Sequence, residues 1–251
     1  MSNVDAMQVT VASPEDCATI ARIHVSSWQA AYAALLPAEY LASLSVSERE
    51  QSWRGMLEAA TSRTLVVKRE AEVVGFISFG RCRDEDAPAR RGEVWALYVS
   101  PHAWSSGAGW ALWESARVQM LHAGFAEVSL WVLTGNARGL RFYEAVGFRR
   151  EVRSEKLFER GGATLEEVRL VFERMSAHPS IERTWTGELR SAAVQLHGAA
   201  IRVVGADAPW PSSEAHGRVG NQVPLGAFAH AEQGPPFASA RARQPDSSCV
   251  A

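Results

Sequence analysis

Residues 93–121 read EVWALYVSPHAWSSGAGWALWESARVQML, and this stretch decides the fold. An apolar strand, Val94 to Val99, stops at Ser100-Pro101. A short loop then carries Gly107 and Gly109 into a helical pattern. A strand, a glycine-bearing turn and a helix start make an anion cradle. The first N–H groups of a helix lack intrahelical partners, and the helix dipole adds partial positive charge beside them. Glycine lets a bound group approach the backbone closely. A pyrophosphate is the ligand feature that fits. The stretch holds no lysine, which excludes a P-loop with its Gly-Lys-Ser/Thr. The dinucleotide fingerprint G-x-G-x-x-G/A also fails, because counting from Gly107 puts Leu112 at its last position.

Working outward, residues 127–148 read EVSLWVLTGNARGLRFYEAVGF. A strand from Val128 to Leu133, with almost no polar alternation, should be buried on both faces. It leads through Thr134-Gly135 to Asn136, a helix, and Gly147-Phe148. Two motifs in this order, one strand–helix unit apart, are more specific than either alone.

Together they resemble the GNAT superfamily of acetyl-CoA-dependent N-acetyltransferases, over about residues 7–175. Trp104-Ser105-Ser106-Gly107-Ala108-Gly109 is similar to the family's Q/R-x-x-G-x-G/A loop. Trp104 stands where Arg or Gln is usual, and Ser105 where many members carry a further glycine. Asn136, Gly139, Tyr143 and Gly147-Phe148 match N-x-x-A/G-x-x-x-Y-x-x-x-G-F. The resemblance implies an α/β (α+β) fold: a mixed central sheet of about six to seven strands flanked by about four helices. Two parallel strands splay apart in it and admit the pantetheine arm of acetyl-CoA, the cosubstrate.

Cofactor contacts are expected from Leu97, Tyr98 and Val99, from the loop Trp104 to Gly109, and from Asn136 and Tyr143. Tyr143 is expected to protonate the leaving thiolate. Glu93 matches a position that serves some members as general base, against the plainer reading of a strand-end carboxylate in water. Strand alternation puts residues 93, 95, 97 and 99 on one face.

The rest of the chain fits around this frame. Ser13-Pro14-Glu15-Asp16 starts a helix that runs toward Ala33, with Ser13 and Asp16 as a capping pair. His24, Trp28 and Tyr32 share a face of it. Either they pack on the sheet as core, or they wall the acceptor pocket, as SSWQAAYAALLP in one GNAT subgroup implies. Helices follow at Pro37 to Leu44 and Ser45 to Ala60, the latter with Ser47 as its cap. Two strands then form a hairpin turning at Glu70-Ala71-Glu72. The charged segment 83–92 is either a solvated tip or, through Asp84, Glu85 and Asp86, an attractor for a cationic acceptor. Strands at Arg149 to Lys156 and Leu165 to Glu173 close the sheet.

The 251 residues are 47% hydrophobic with net charge −2, enough for one sizeable core and with no pull toward nucleic acid or an anionic membrane. No apolar run could span a bilayer, and no signal peptide is visible. Three scattered cysteines form no metal set and fit a cytoplasmic location. No metal is expected. Past about Arg174 the composition shifts to Pro, Gly, Ala and Ser. The expected organisation is a catalytic domain at 1–175 and a low-complexity, largely disordered extension at 176–251, with one helix between Leu189 and Val204.

The resemblance implies direct acetyl transfer from acetyl-CoA to a primary amine, with a small-molecule amine as acceptor. It leaves open a protein N-terminal or lysine acetyltransferase, or a non-catalytic acyl-CoA-binding regulatory module. A homodimer is compatible with the sequence.

Overall fold

The computed structural model describes residues 7–173, 192–196 and 199–204. The decisive pairing lies between β4 (Arg91–Val99) and β5 (Glu127–Leu133). They run parallel, yet pair only at Arg91 with Glu127, Gly92 with Val128 and Glu93 with Ser129. Beyond Glu93 they part. The cause is visible on the other edge of β4. There β3 (Glu72–Arg81) pairs antiparallel with it, with Ser78 opposite Ala96 but Phe79 opposite Val94, so Trp95 is one residue too many. Such a bulge bends its strand and sharpens the twist. Gly80 makes the bulge possible: a Cβ there would lie 2.8 Å from the Trp95 ring.

The bulge also breaks the alternation expected along this strand. Val94, Leu97 and Val99 pack into one core cluster, while Trp95, Ala96 and Tyr98 join another. Residues 93, 95, 97 and 99 therefore do not share a face, because the count slips by one at Trp95.

The described strands form one mixed sheet. β1 (Met7–Val11), β2 (Arg63–Arg69), β3 and β4 are neighbours in order, with antiparallel pairing throughout. On the far side of the gap, β5 pairs antiparallel with β8 (Ala163–Phe172). β6 (Arg149–Arg150) and β7 (Lys156–Arg160) both pair with β8. The single strand expected at 149–156 is thus two short ones, and the final hairpin turns at Gly161-Gly162, both at positive φ.

One face is covered by α1 (Cys17–Ala31) and α3 (Val46–Ala59), with the short α2 (Ala38–Ser43) between them. Cys17, Ile20, Ala21, Ile23 and Trp53 bury there against Val66 and Phe76. On the other, α4 (Ala108–His122) buries Leu112, Ala116 and Met120 against Leu65, Ile77 and Phe79. α5 (Ala137–Ala145) buries no residue fully. Its apolar side faces the gap, where packing is incomplete.

Local signals fare unevenly. Asp16 caps back onto the Ser13 N–H at 2.8 Å, but a 3-10 turn at Pro14–Asp16 precedes α1. The cap of α3 is Ser45, which accepts from the Glu48 N–H at 3.2 Å, and not Ser47. The helix expected between Leu189 and Val204 is absent. β9 (Ala192–Leu196) and β10 (Ala199–Val204) stand there, β10 parallel to β1. Its β-branched Ile201, Val203 and Val204 favour a strand. The remainder of 176–251 lies outside the described residues.

His24 is 2% exposed beneath this sheet and accepts the Trp53 indole N–H at Nδ1, 3.3 Å away. Burial, and then the neighbouring Arg49 cation, hold its pKa down to about 3. The unfolded chain therefore binds a proton below about pH 6.5 that the folded chain refuses until about pH 3. Stability should fall across that window as pH drops, by roughly 1 kcal/mol per pH unit from this group. Urea unfolding at pH 4 to 7 should show the loss, and His24→Asn, which keeps an acceptor for the indole, should flatten it.

Candidate active site

The gap opens into a cavity of about 600 Å³. The backbone on its β4 side is set by the antiparallel ladder. The Ser100 N–H donates to the Val74 carbonyl, so bonded pairs fall at Ser100 and Tyr98, and non-bonded pairs at Val99 and Leu97. The N–H and C=O of Leu97 and Val99 therefore point away from β3, toward the gap. Those of Tyr98 point to Phe76 instead.

The anion cradle is built as its sequence implies, with two refinements. Gly107 is at φ 92°, left-handed, while a Cβ on it would meet nothing within 4 Å. Its backbone angle is one that residues with a side chain rarely adopt. Ser105 is left-handed too, at φ 62°, so the serine keeps a glycine's conformation under strain. The first bond inside α4 runs from the Ala111 N–H to the Gly107 carbonyl, 3.0 Å. No side chain caps the helix, which leaves the Ala108, Gly109 and Trp110 N–H groups outside its ladder. Arg138 and Arg141 of α5 line the cavity as cations. This donor set fits a pyrophosphate.

Trp104, the odd residue of the loop, has two contacts. Its indole N–H donates to the Val99 carbonyl at 2.8 Å, and the Arg138 guanidinium stacks 4.3 Å from its ring. The Val99 carbonyl also accepts from the Ser27 hydroxyl at 3.1 Å. The Val99 N–H therefore faces the gap while its carbonyl is already held.

Of the expected site residues, Glu93, Leu97, Tyr98, Val99, Trp104, Ser105, Gly107, Gly109, Asn136 and Tyr143 line the cavity. Ser106 and Ala108 do not, and Ala108 is buried in the core. Asn136 caps α5, accepting the Gly139 N–H at 2.9 Å. Trp28 and Tyr32 do wall the cavity, while His24 lies behind it, stacked 4.8 Å from the Tyr98 ring. The Trp28 indole donates to the Tyr98 hydroxyl at 2.9 Å. Burial raises the Tyr32, Tyr98 and Tyr143 phenols above the ordinary range, so all three stay protonated.

Glu93 is 3% exposed, and not in water. One carboxylate oxygen accepts the Arg83 backbone N–H and Nε–H, each at 3.0 Å, and the other accepts Nη2–H. The paired guanidinium bonds fix this carboxylate against Arg83 at the cavity wall. The acidic segment is tied down as well. Asp84 meets Arg169 at 3.2 Å and Lys156 at 3.7 Å, and Asp86 meets Arg169. Asp84 is half-buried and Asp86 is exposed, and both pin the loop to β8 through Arg169.

Sequence reasoning missed Arg83, Phe158, Arg160 and Glu167, which line the same cavity. The available signal was the spacing of Glu167 and Arg169 with Leu165 on one face of a strand. All three are buried.

Residues 20–148 match the model of the acetyltransferase (GNAT) family. The chain is 33% identical over 169 residues to the uncharacterised N-acetyltransferase YuaI of Bacillus subtilis (strain 168), covering 67% of this chain and 94% of that protein. Among solved structures it resembles YncA of Salmonella typhimurium with its cofactor acetyl-CoA, at TM-score 0.54 and 20% identity over 70% of this chain and 98% of that one. It also resembles PaiA N-acetyltransferase of Thermoplasma acidophilum in complex with coenzyme A, at TM-score 0.50 and 23% identity over 64% and 98%.

The strained cradle gives a stability test. Ser105→Gly should raise unfolding free energy by about 0.5–1 kcal/mol, the left-handed penalty less glycine's extra unfolded-state entropy. Denaturant unfolding would read it, and a loss of stability would mean that the serine is not strained.

Proposed function

The chain belongs to the GNAT family of acetyl-CoA-dependent N-acetyltransferases, and on that premise we propose that it acetylates the primary amine of a small molecule by direct attack. The observation carrying the acceptor class is the size and aromatic lining of the cavity. Trp28, Tyr32 and Leu36 close it from the α1 side, and Phe158, Arg160 and Leu165 from β7 and β8. About 600 Å³ suits a pantetheine arm and a small amine.

Bound acetyl-CoA supplies a thioester whose carbonyl carbon is the electrophile. The N-terminus of α4 would hold the pyrophosphate at Gly107 and Gly109, with Arg138 and Arg141 beside it. Leu97 and Val99 would pair with the pantetheine amides through backbone groups facing the gap, much as an added strand would. A backbone N–H on the same edge would stabilise negative charge growing on the carbonyl oxygen. Tyr143 would hand its phenolic proton to the departing sulfur. Burial penalises a thiolate as it penalises the phenolate, so the proton finds sulfur a willing base there. Glu93 is fixed by Arg83 and holds that arginine at the cavity wall. The catalytic unit is proposed to be residues 7–173. Among these, no helix is long and apolar enough to cross a membrane, and no group of three His, Cys, Asp or Glu side chains could hold a metal ion.

CoA release against amino acids, an aliphatic diamine and short peptides tests the acceptor class; transfer to peptides alone would overturn it. Tyr143→Phe should lower turnover at least tenfold, about 1.4 kcal/mol of barrier, with acetyl-CoA affinity nearly unchanged. Unchanged turnover would remove Tyr143 from the chemistry.

A further inference from the structure

Glu167 is a buried carboxylate, 8% exposed, on the acceptor wall of the cavity. Unlike every other acidic residue that lines it, Glu167 has no hydrogen-bond donor or salt-bridge partner among the described residues, whereas Glu93 has three donors from Arg83. A buried carboxylate is costly to leave unpaired. Its surroundings leave it so while opening it to the cavity.

Its position along the gap is the second observation. β5 gives a common ruler. Glu93 sits opposite Ser129, at the closed end where β4 and β5 still pair. Glu167 sits opposite Leu133, four residues nearer the open end. At ordinary strand rise that is about 13 Å. The bulge at Trp95 takes up one residue, so Leu97, whose N–H and C=O face the gap, lies three ladder steps beyond Glu93, from Gly80 to Ile77 on β3. Glu167 is thus within about one residue of the backbone that would hold the thioester end of the cofactor, and Glu93 lies deeper in the gap.

We infer that Glu167 is the general base: its carboxylate receives a proton from the acceptor ammonium, directly or through one water. This rests on the acetyl-transfer reading. The step balances as follows. One ammonium proton passes to Glu167, and the freed lone pair forms the C–N bond at the thioester carbon. The C–S bond breaks, its electrons leave with sulfur, and sulfur takes the Tyr143 proton. The second nitrogen proton returns to Tyr143, and Glu167 releases its own to solvent.

The groups facing Glu167 tune it for this task. Burial raises its pKa to about 7, Asp84 and Glu93 add to the rise, and Lys156 and Arg160 of β7 oppose it. A base with its midpoint near neutral pH holds a proton well and is still half available. Only the ionised form acts, so the rate climbs with pH through this midpoint.

The test compares full-length wild type with Glu167→Gln, following CoA release on amino acids, an aliphatic diamine and short peptides from pH 5 to 9. Wild-type kcat/KM should rise through about pH 7 to a plateau. Glu167→Gln should lower kcat at least about a hundredfold, lose the rise, and keep its acetyl-CoA affinity and melting temperature. Glu93→Gln should keep the rise. Lys156→Met should move it to higher pH, because a cation that favours the carboxylate is gone. A Glu167→Gln enzyme with wild-type rate and profile, or a rise lost in Glu93→Gln and retained in Glu167→Gln, would overturn the assignment. Transfer to peptides alone would sink the small-molecule reading and leave this comparison intact on those peptides. Should no acceptor react or the variant not fold, a carboxyl-detected NMR titration of wild type decides: a Glu167 midpoint below pH 5 overturns the proposal, one near 7 supports it.

Discussion

Everything in this molecule that bears on chemistry depends on β4 and β5 failing to stay paired. Strand pairing satisfies backbone groups, and sheets rarely leave them idle. Here three residues pair, then Trp95 bulges and the strands diverge. The β4 edge stays rigid, because β3 holds it through Val99. The β5 edge stays rigid, because β8 holds it through Leu133. The result is a slot with two fixed walls and unsatisfied backbone on one of them. A ligand rich in amides fits such a slot, and side chains matter little to that part of the recognition.

The charges around the slot sort by how they are paired. Arg83 grips Glu93, and Arg169 gathers Asp84, Asp86 and Glu151. These pairs are structural: they fix the 83–90 loop against the β8 side of the cavity. Glu167 stands among them without a donor. Of the nearby guanidinium groups, Arg83 is held by Glu93, Arg169 by its three carboxylates, and Arg160 donates to the Tyr40 hydroxyl at 3.3 Å. Lys156 and Arg160 still favour the ionised form of Glu167, but burial outweighs them.

The α4 cradle shows how a loop absorbs an unusual residue. Trp104 cannot offer the charge of Arg or the amide of Gln. Its indole N–H instead anchors the loop to Val99, and its ring seats Arg138, which brings a cation to the same place from α5. Ser105 accepts a left-handed backbone so that the loop keeps its path.

By itself, the sequence determined the order of elements, the α+β class, and the two motifs that mark the cradle and α5. These are short-range properties, written in periodicity, in Gly107 and its positive φ, and in the Asn136 cap. The residues that line the cavity along β4 and the α4 loop were legible for the same reason: they follow from local backbone geometry. The acceptor side was not. Trp28 and Tyr32 reached the cavity and His24 did not, although all three share a helical face, because Tyr98 from a distant strand covers the histidine. Glu93, read from the sequence as a candidate base or a strand-end carboxylate in water, is buried and gripped by Arg83 across the hairpin. The bulge at Trp95 shifted every face after it. Only the tertiary structure decided these points, because each depends on which residues of different strands and helices share one small, water-poor volume. There the presence or absence of a single neighbouring charge sets what a carboxylate can do.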